Sequence, residues 1–168
     1  GSREGTVRGV IAFYYPTSAN GRRAADIFVQ GLKEIYPLPD KVYAMATTTL
    51  GEVRQPYMPS VLLELGYHDN TADALWVENN IQAIAENLVQ SLTTYFGLPF
   101  VTPLTPWQGT VRTPQGGSLN LRAAPGTRAD VVALLPNGAK VTVYGRYQEW
   151  YTVGYNGKLG YAYADFIT

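Results

Sequence analysis

Thirteen residues near the middle of the chain, GLPFVTPLTPWQG at 97–109, hold three prolines and two glycines. No regular helix runs through such a segment, because proline removes a backbone donor and clashes with the preceding turn. The residues on either side follow different patterns, so the 168 residues are expected to form two small domains rather than one large core. The division predicted is an α/β unit over 3–97, a linker over 98–110 and a small all-β unit over 111–168.

Upstream, VRGVIAFYY at 7–15 is rich in β-branched and aromatic residues and reads as a strand stopped by Pro16. Ser18 and Asn20 are helix caps in prospect, and Ala24, Ala25, Phe28, Leu32 and Ile35 then recur at helical spacing up to Pro37. The second strand is expected over 59–65, where a continuous apolar run predicts burial on both faces of a sheet. A short helix over 71–78 leads into a longer one, with an apolar stripe of Ile81, Ile84, Ala85, Leu88, Leu92, Tyr95 and Phe96 and Gly97 as its cap. Strand, helix, strand, helix makes an α/β layer. Downstream, five short strand-like runs alternate with turns such as Pro136-Asn137-Gly138 and Asn156-Gly157, the pattern of a small barrel or sandwich.

Composition removes several classes of function. Lys and Arg together number 13, as do Asp and Glu, and no basic run stands out, which argues against nucleic acid or a membrane surface as partner. The absence of cysteine excludes disulfides, thiolate metal sites and a cysteine nucleophile. No apolar run reaches the roughly 18 residues of a membrane span. Gly1 and Ser2 read as a remnant of cloning.

Chemistry gathers in VLLELGYHDN at 61–70. Glu64 falls at the C-terminal end of the second strand, where α/β proteins gather their sites. It is either a proton-transferring carboxylate or a partner in an ion pair or helix contact. His68, the one histidine of the chain, is either a loop residue bonded to a backbone carbonyl or a substrate contact. Asp69 and Asn70 are suited to capping the next helix. A catalytic zinc needs about three protein ligands, and His68 with carboxylates alone is a poor supply. In the second half, Tyr147, Trp150 and Tyr161 are either packing residues or ligand contacts, since a small barrel cannot enclose every aromatic ring it carries.

Two resemblances sharpen these alternatives. LNLRAAP, PNGAKV, WYTV and GYAYADFI, within 118–168, resemble a bacterial SH3 domain of the SH3b type, which implies binding to the peptides of cell-wall peptidoglycan. GVIAFYYP, SANGRRAADIFVQGL and MPSVLLELGYHDNTADALWVENNIQAIAENLVQSLTTYFG, within 7–97, resemble the C-terminal part of the zinc-dependent N-acetylmuramoyl-L-alanine amidases. That family hydrolyses the amide between N-acetylmuramic acid and the L-alanine of the stem peptide, and the resemblance places Glu64 at its catalytic glutamate. The Tyr67-His68-Asp69-Asn70 wording departs from the commoner phenylalanine-isoleucine-serine-asparagine. The family's zinc ligands, in Asp-Pro-Gly-His-Gly and Ser-x-His-x-Asn motifs and an intervening glutamate, precede the Tyr-Pro strand, and neither motif occurs here. The resemblance therefore implies a bacterial, secreted or wall-associated protein with a zinc cofactor whose ligands come from an N-terminal half outside these residues. A chain lacking that half is expected to be inactive alone, and the alternative is a non-catalytic wall-anchoring protein.

Overall fold

The computed structural model describes residues 5–168; the expectations for Gly1, Ser2 and the start of the first domain at residue 3 lie outside them. The chain divides into two compact units, Gly1–Leu98 and Pro99–Thr168.

The N-terminal unit contains a three-stranded sheet, helices on one of its faces, and a short four-residue helix. Its elements are β1 (Val10–Tyr14), α1 (Ala19–Ile35), β2 (Val42–Ala46), α2 (Gly51–Arg54), β3 (Val61–Glu64), α3 (Thr71–Asn79) and α4 (Ile81–Phe96). The sheet order is β2-β1-β3, with β2 parallel and β3 antiparallel to β1. Ser18 caps α1 by accepting from the Gly21 N–H at 3.1 Å, and the helix ends at Tyr36 before Pro37. Its buried face, Ala24, Ala25, Phe28 and Leu32, covers the sheet. Val10, Phe28, Leu32, Tyr36, Val42, Trp76 and Ile84 form the core, each large side chain contributing about 1.5–3 kcal/mol on burial.

Three expectations need correction here. β2 was not foreseen: it is a mostly exposed edge strand and lacks the alternation that marks a half-buried one. The run before Glu64 is not buried on both faces, because β3 is the other edge; Val61, Leu63 and Leu65 pack on the core, while no residue of β3 is fully buried. On α4 the buried positions are Ile84, Asn87 and Ser91, leaving Ile81, Leu92 and Phe96 of the expected stripe exposed. Small and polar groups face α1 because the helices cross closely at Gly31, whose carbonyl accepts from Asn87 Nδ2 at 2.9 Å.

The C-terminal unit is a six-stranded antiparallel sheet of β4 (Thr102–Thr110), β5 (Leu119–Arg122), β6 (Val131–Leu135), β7 (Lys140–Tyr147), β8 (Trp150–Tyr155) and β9 (Lys158–Tyr163). Its order is β4-β7-β8-β9-β5-β6. The segment expected to be a linker contains β4, which makes six strands where five were foreseen. Prolines misled the sequence reading: β4 is an edge strand, where a missing donor is tolerated, and its ladder breaks between Pro103 and Trp107. Val111 bridges to Ile167, closing the sheet's ends around a core that includes Leu121, Leu135, Val141, Val143 and Val153. Asn156 and Gly157 both take positive φ, 47° and 75°, as a tight two-residue hairpin between β8 and β9 requires.

Candidate functional site

Glu64, the last residue of β3, is exposed. It lies opposite Ile11 in the antiparallel ladder, so its side chain shares a face with Ile11, Phe13 and Leu62, away from the face of Leu63 that meets the core. The chain turns directly after Leu65 at Gly66, whose φ is +141° and where a Cβ would stand 3.2 Å from that of Asp73.

Asp73 organises this corner. Fully buried, it accepts from Tyr36 Oη at 2.6 Å, Arg8 Nε at 2.9 Å, the Gly9 N–H at 3.1 Å and the Tyr67 N–H at 3.2 Å. Burial pushes its carboxyl pKa up, but the bonds from Tyr36, Arg8 and the two backbone amides outweigh that and hold it below the usual range. Tyr36 is pushed up to about 12, first by burial and then by the Asp73 carboxylate. One carboxylate thus ties the start of β1, the end of α1 and the loop behind Glu64 together. Asn70 completes the loop by capping α3, accepting from the Ala72 and Asp73 N–H groups at 3.1 and 3.2 Å.

The structure places Tyr67 half-buried in this loop, its phenol pKa raised by burial and then by Tyr43 and the Glu64 carboxylate. His68 is exposed and, with Tyr67 and Glu78, lines a pocket of about 370 Å³ in which Glu64 has no part. The side chains of Glu64 and His68 are not joined by a hydrogen bond or ion pair among the described residues. No three His, Cys, Asp or Glu side chains converge among the described residues either. With one histidine and no cysteine in the chain, the residues present do not fit a catalytic zinc.

In the C-terminal unit, Tyr147 ends β7 opposite Trp150 of β8, and Tyr161 of β9 lies opposite Thr152. Trp150 lines a cleft of about 480 Å³, together with Tyr163, Phe166 and Arg122; Tyr147 and Tyr161 are not on its wall. The ring centroids of Trp150 and Tyr163 are 5.6 Å apart, edge to face. Tyr151, one residue on, stacks edge to face with Trp107 at 5.9 Å, as opposite facing of neighbours on a strand demands.

Residues 1–94 match the N-acetylmuramoyl-L-alanine amidase family, and residues 117–168 match the bacterial SH3 domain. The chain belongs to the N-acetylmuramoyl-L-alanine amidase family. Among solved structures, this amidase-family chain resembles the CwlD amidase from Clostridioides difficile in complex with the GerS lipoprotein, with TM-score 0.52, 18% identity, and coverage of 56% of this chain and 49% of that one. An N-acetylmuramoyl-L-alanine amidase from Clostridium difficile 630 aligns with TM-score 0.50 and 16% identity, over 58% and 53% of the two chains. At such identities the likeness is one of fold, and the chain spans about half the length of each of these two structures. No curated protein matches it.

Asp73, Arg8 and Tyr36 escaped the sequence reading, since two of the Asp73 contacts reach 65 and 37 residues away. A partial signal was present: Asp73 follows the cap Asn70 by three residues, a position where an acid commonly serves the helix start, yet here it turns inward instead.

Proposed function

We propose that this chain is part of a bacterial peptidoglycan hydrolase, secreted or wall-attached, that cleaves the amide between N-acetylmuramic acid and the L-alanine of the stem peptide. The C-terminal SH3 unit holds it on the wall, which raises its local concentration on the polymer. The observation that carries the reading is an exposed carboxylate, Glu64, at the end of a strand inside the segment matched to the amidase family. Hydrolysis of an amide needs a base to take a proton from the attacking water and an acid to deliver one to the departing nitrogen, and a single carboxylate performs both in turn. Glu64 has that role, and the Asp73 network holds the loop behind it. His68 and Tyr67 border the approach to the strand end as substrate contacts; Tyr147, Trp150 and Tyr161 are assigned to the wall-binding unit. On this reading the family's zinc is held by residues carried in its Asp-Pro-Gly-His-Gly and Ser-x-His-x-Asn segments, and a protein without those segments is expected to be inactive.

The absence of a converging ligand set among the described residues also favours a second reading, a non-catalytic wall-binding protein. Both are tested by incubating the protein with purified peptidoglycan and zinc, alone and with a separate polypeptide carrying the family's Asp-Pro-Gly-His-Gly and Ser-x-His-x-Asn segments. The hydrolase reading predicts wall binding in both cases and new alanine amino termini only in the second, abolished by Glu64→Gln. Hydrolysis that survives Glu64→Gln removes the proposed role of that residue; binding with no cleavage under either condition leaves the anchoring protein.

A further inference from the structure

Helix α4 turns its apolar side outward. The residues it buries are Ile84, Asn87 and Ser91, two of them polar. Ile81, Ala85, Val89, Leu92 and Phe96 are exposed and Leu88 is half-buried. On a helical wheel those six positions fall within an arc of about 100°, the width of a full packing stripe. Phe96 is fixed at one end of it, its ring edge to face with Tyr95 at 5.0 Å, and the Arg23 guanidinium covers that Tyr95 ring at 4.2 Å. A contiguous apolar face of this kind marks a contact surface.

Charge narrows the choice of what covers it. Glu86 is the one charged side chain of α4 and lies about 110° from the centre of the stripe. A helix that lies in a lipid surface carries Lys and Arg on its polar face, and α4 has neither. A charged partner would find no counter-charge on the stripe. Spacing then selects the occupant. The six positions are symmetric about a point midway between Leu88 and Val89: Ile81 and Phe96 lie equally far from it, and so do Ala85 and Leu92. Laid antiparallel on a copy of itself, the stripe sets Ile81 beside the partner's Phe96, Ala85 beside the partner's Leu92, and Leu88 beside the partner's Val89. The largest gap, at Ala85, is then filled by a leucine, as close packing requires. A parallel pair would leave Ala85 facing its own copy across a hollow. A surface that matches itself about a two-fold axis is suited to a closed dimer.

We propose that the outer face of α4 is a docking surface for a second copy of this chain, the two helices packing antiparallel about a two-fold axis between Leu88 and Val89. Six side chains from each copy fall short of the roughly 20–30 residues a side of a standard interface, so the dimer is weak and depends on concentration.

The chain has no cysteine, so single introduced ones report the geometry. Ala85→Cys, Val89→Cys and Leu92→Cys, all at exposed positions, are made in the 168-residue protein and oxidised with copper phenanthroline, alone and in mixtures, at concentrations where sedimentation velocity detects a dimer. Expected are a linked dimer of Val89→Cys alone and a mixed dimer of Ala85→Cys with Leu92→Cys, identified by mass after labelling one of the two with heavy nitrogen. Ala85→Cys alone should stay unlinked, because the pairing sets its two copies about 10 Å apart along the helix, beyond the roughly 7 Å between Cα atoms that a disulfide spans. Val89→Glu, which brings two like charges together at the axis, should raise the dissociation constant by about tenfold. Self-linking of Ala85→Cys without the mixed dimer assigns a parallel pair and overturns the proposal, as does a protein that stays monomeric at high concentration. A dimer untouched by Val89→Glu places the contact elsewhere and overturns it too. Sedimentation with phosphatidylglycerol vesicles in place of dimerisation would make the face a lipid surface instead.

Discussion

In the C-terminal unit Leu121, Leu135, Val143 and Val153 have no exposed surface, and strand pairing runs from Thr102 almost to the last residue. In the N-terminal unit Tyr43 and Met45 on β2 are each 41% exposed, and Ile81 and Phe96 on α4 are 67% and 65% exposed, and neither edge of its sheet has a partner strand among the described residues. The seventy-residue antiparallel unit thus encloses a core more completely than the longer α/β unit does. Antiparallel hairpins bury one face and close on themselves, whereas an α/β layer needs cover on both faces of its sheet. The N-terminal unit fixes the loop behind Glu64 with a polar anchor, Asp73. The two units should therefore respond differently to perturbation.

The largest effect is expected from Asp73→Ala. It leaves Tyr36, the part-exposed Arg8 and two backbone amides without their shared acceptor, and each buried donor left unsatisfied costs about 1–3 kcal/mol. Urea unfolding followed by Trp76 fluorescence should show the loss, while the C-terminal transition keeps its midpoint; a common shift would break the comparison. Leu121→Ala is the reciprocal test, removing a fully buried side chain from the other core at about 3 kcal/mol, with Trp76 unaffected.

Alkaline pH sharpens the contrast. Tyr36 has a folded pKa near 12, above its unfolded value of 10, so its contribution is complete below pH 10 and declines as pH rises to about 12. Asp73 has a lowered folded pKa, so its contribution is present above the usual carboxylate range and is lost as pH falls through the lowered value. The N-terminal transition should weaken at both extremes.

A smaller loss, about 1–2 kcal/mol, is expected for Gly31→Ala, because the new Cβ would meet Asn87 Oδ1 and Ser91 Oγ at 2.8 Å. Helix propensity alone predicts the opposite sign, so a stabilised variant would refute the close crossing of α1 and α4. Least affected in stability is the pair Ile81→Ser and Phe96→Ser, each within about 0.5 kcal/mol, since both side chains are exposed. Self-association of the whole protein, read by sedimentation velocity at high concentration, should nonetheless fall; a monomer without these changes would show that the exposed apolar surface is inert.

These particulars also mark what could be read from the residues. α1, α3 and α4 were legible because Ser18, Asn70 and Gly97 cap them and apolar residues recur at helical spacing. β2 and β4 were not, because exposed edge strands carry no alternation and tolerate proline. The face of α4 was misjudged because Gly31 lets Asn87 and Ser91 approach more closely than apolar side chains could. At the site, Glu64 and Trp150 stood out in the sequence, whereas Asp73 and Arg122 depend on partners that only the folded chain brings near.

We propose that this chain supplies a wall-binding unit and a carboxylate-bearing strand, with no metal site among its described residues. The most direct test is zinc content after gel filtration of the 168-residue protein loaded with one equivalent of zinc, beside its sedimentation with peptidoglycan. Expected is wall binding with no retained stoichiometric zinc. One tightly held zinc per chain, released by His68→Gln, would contradict it.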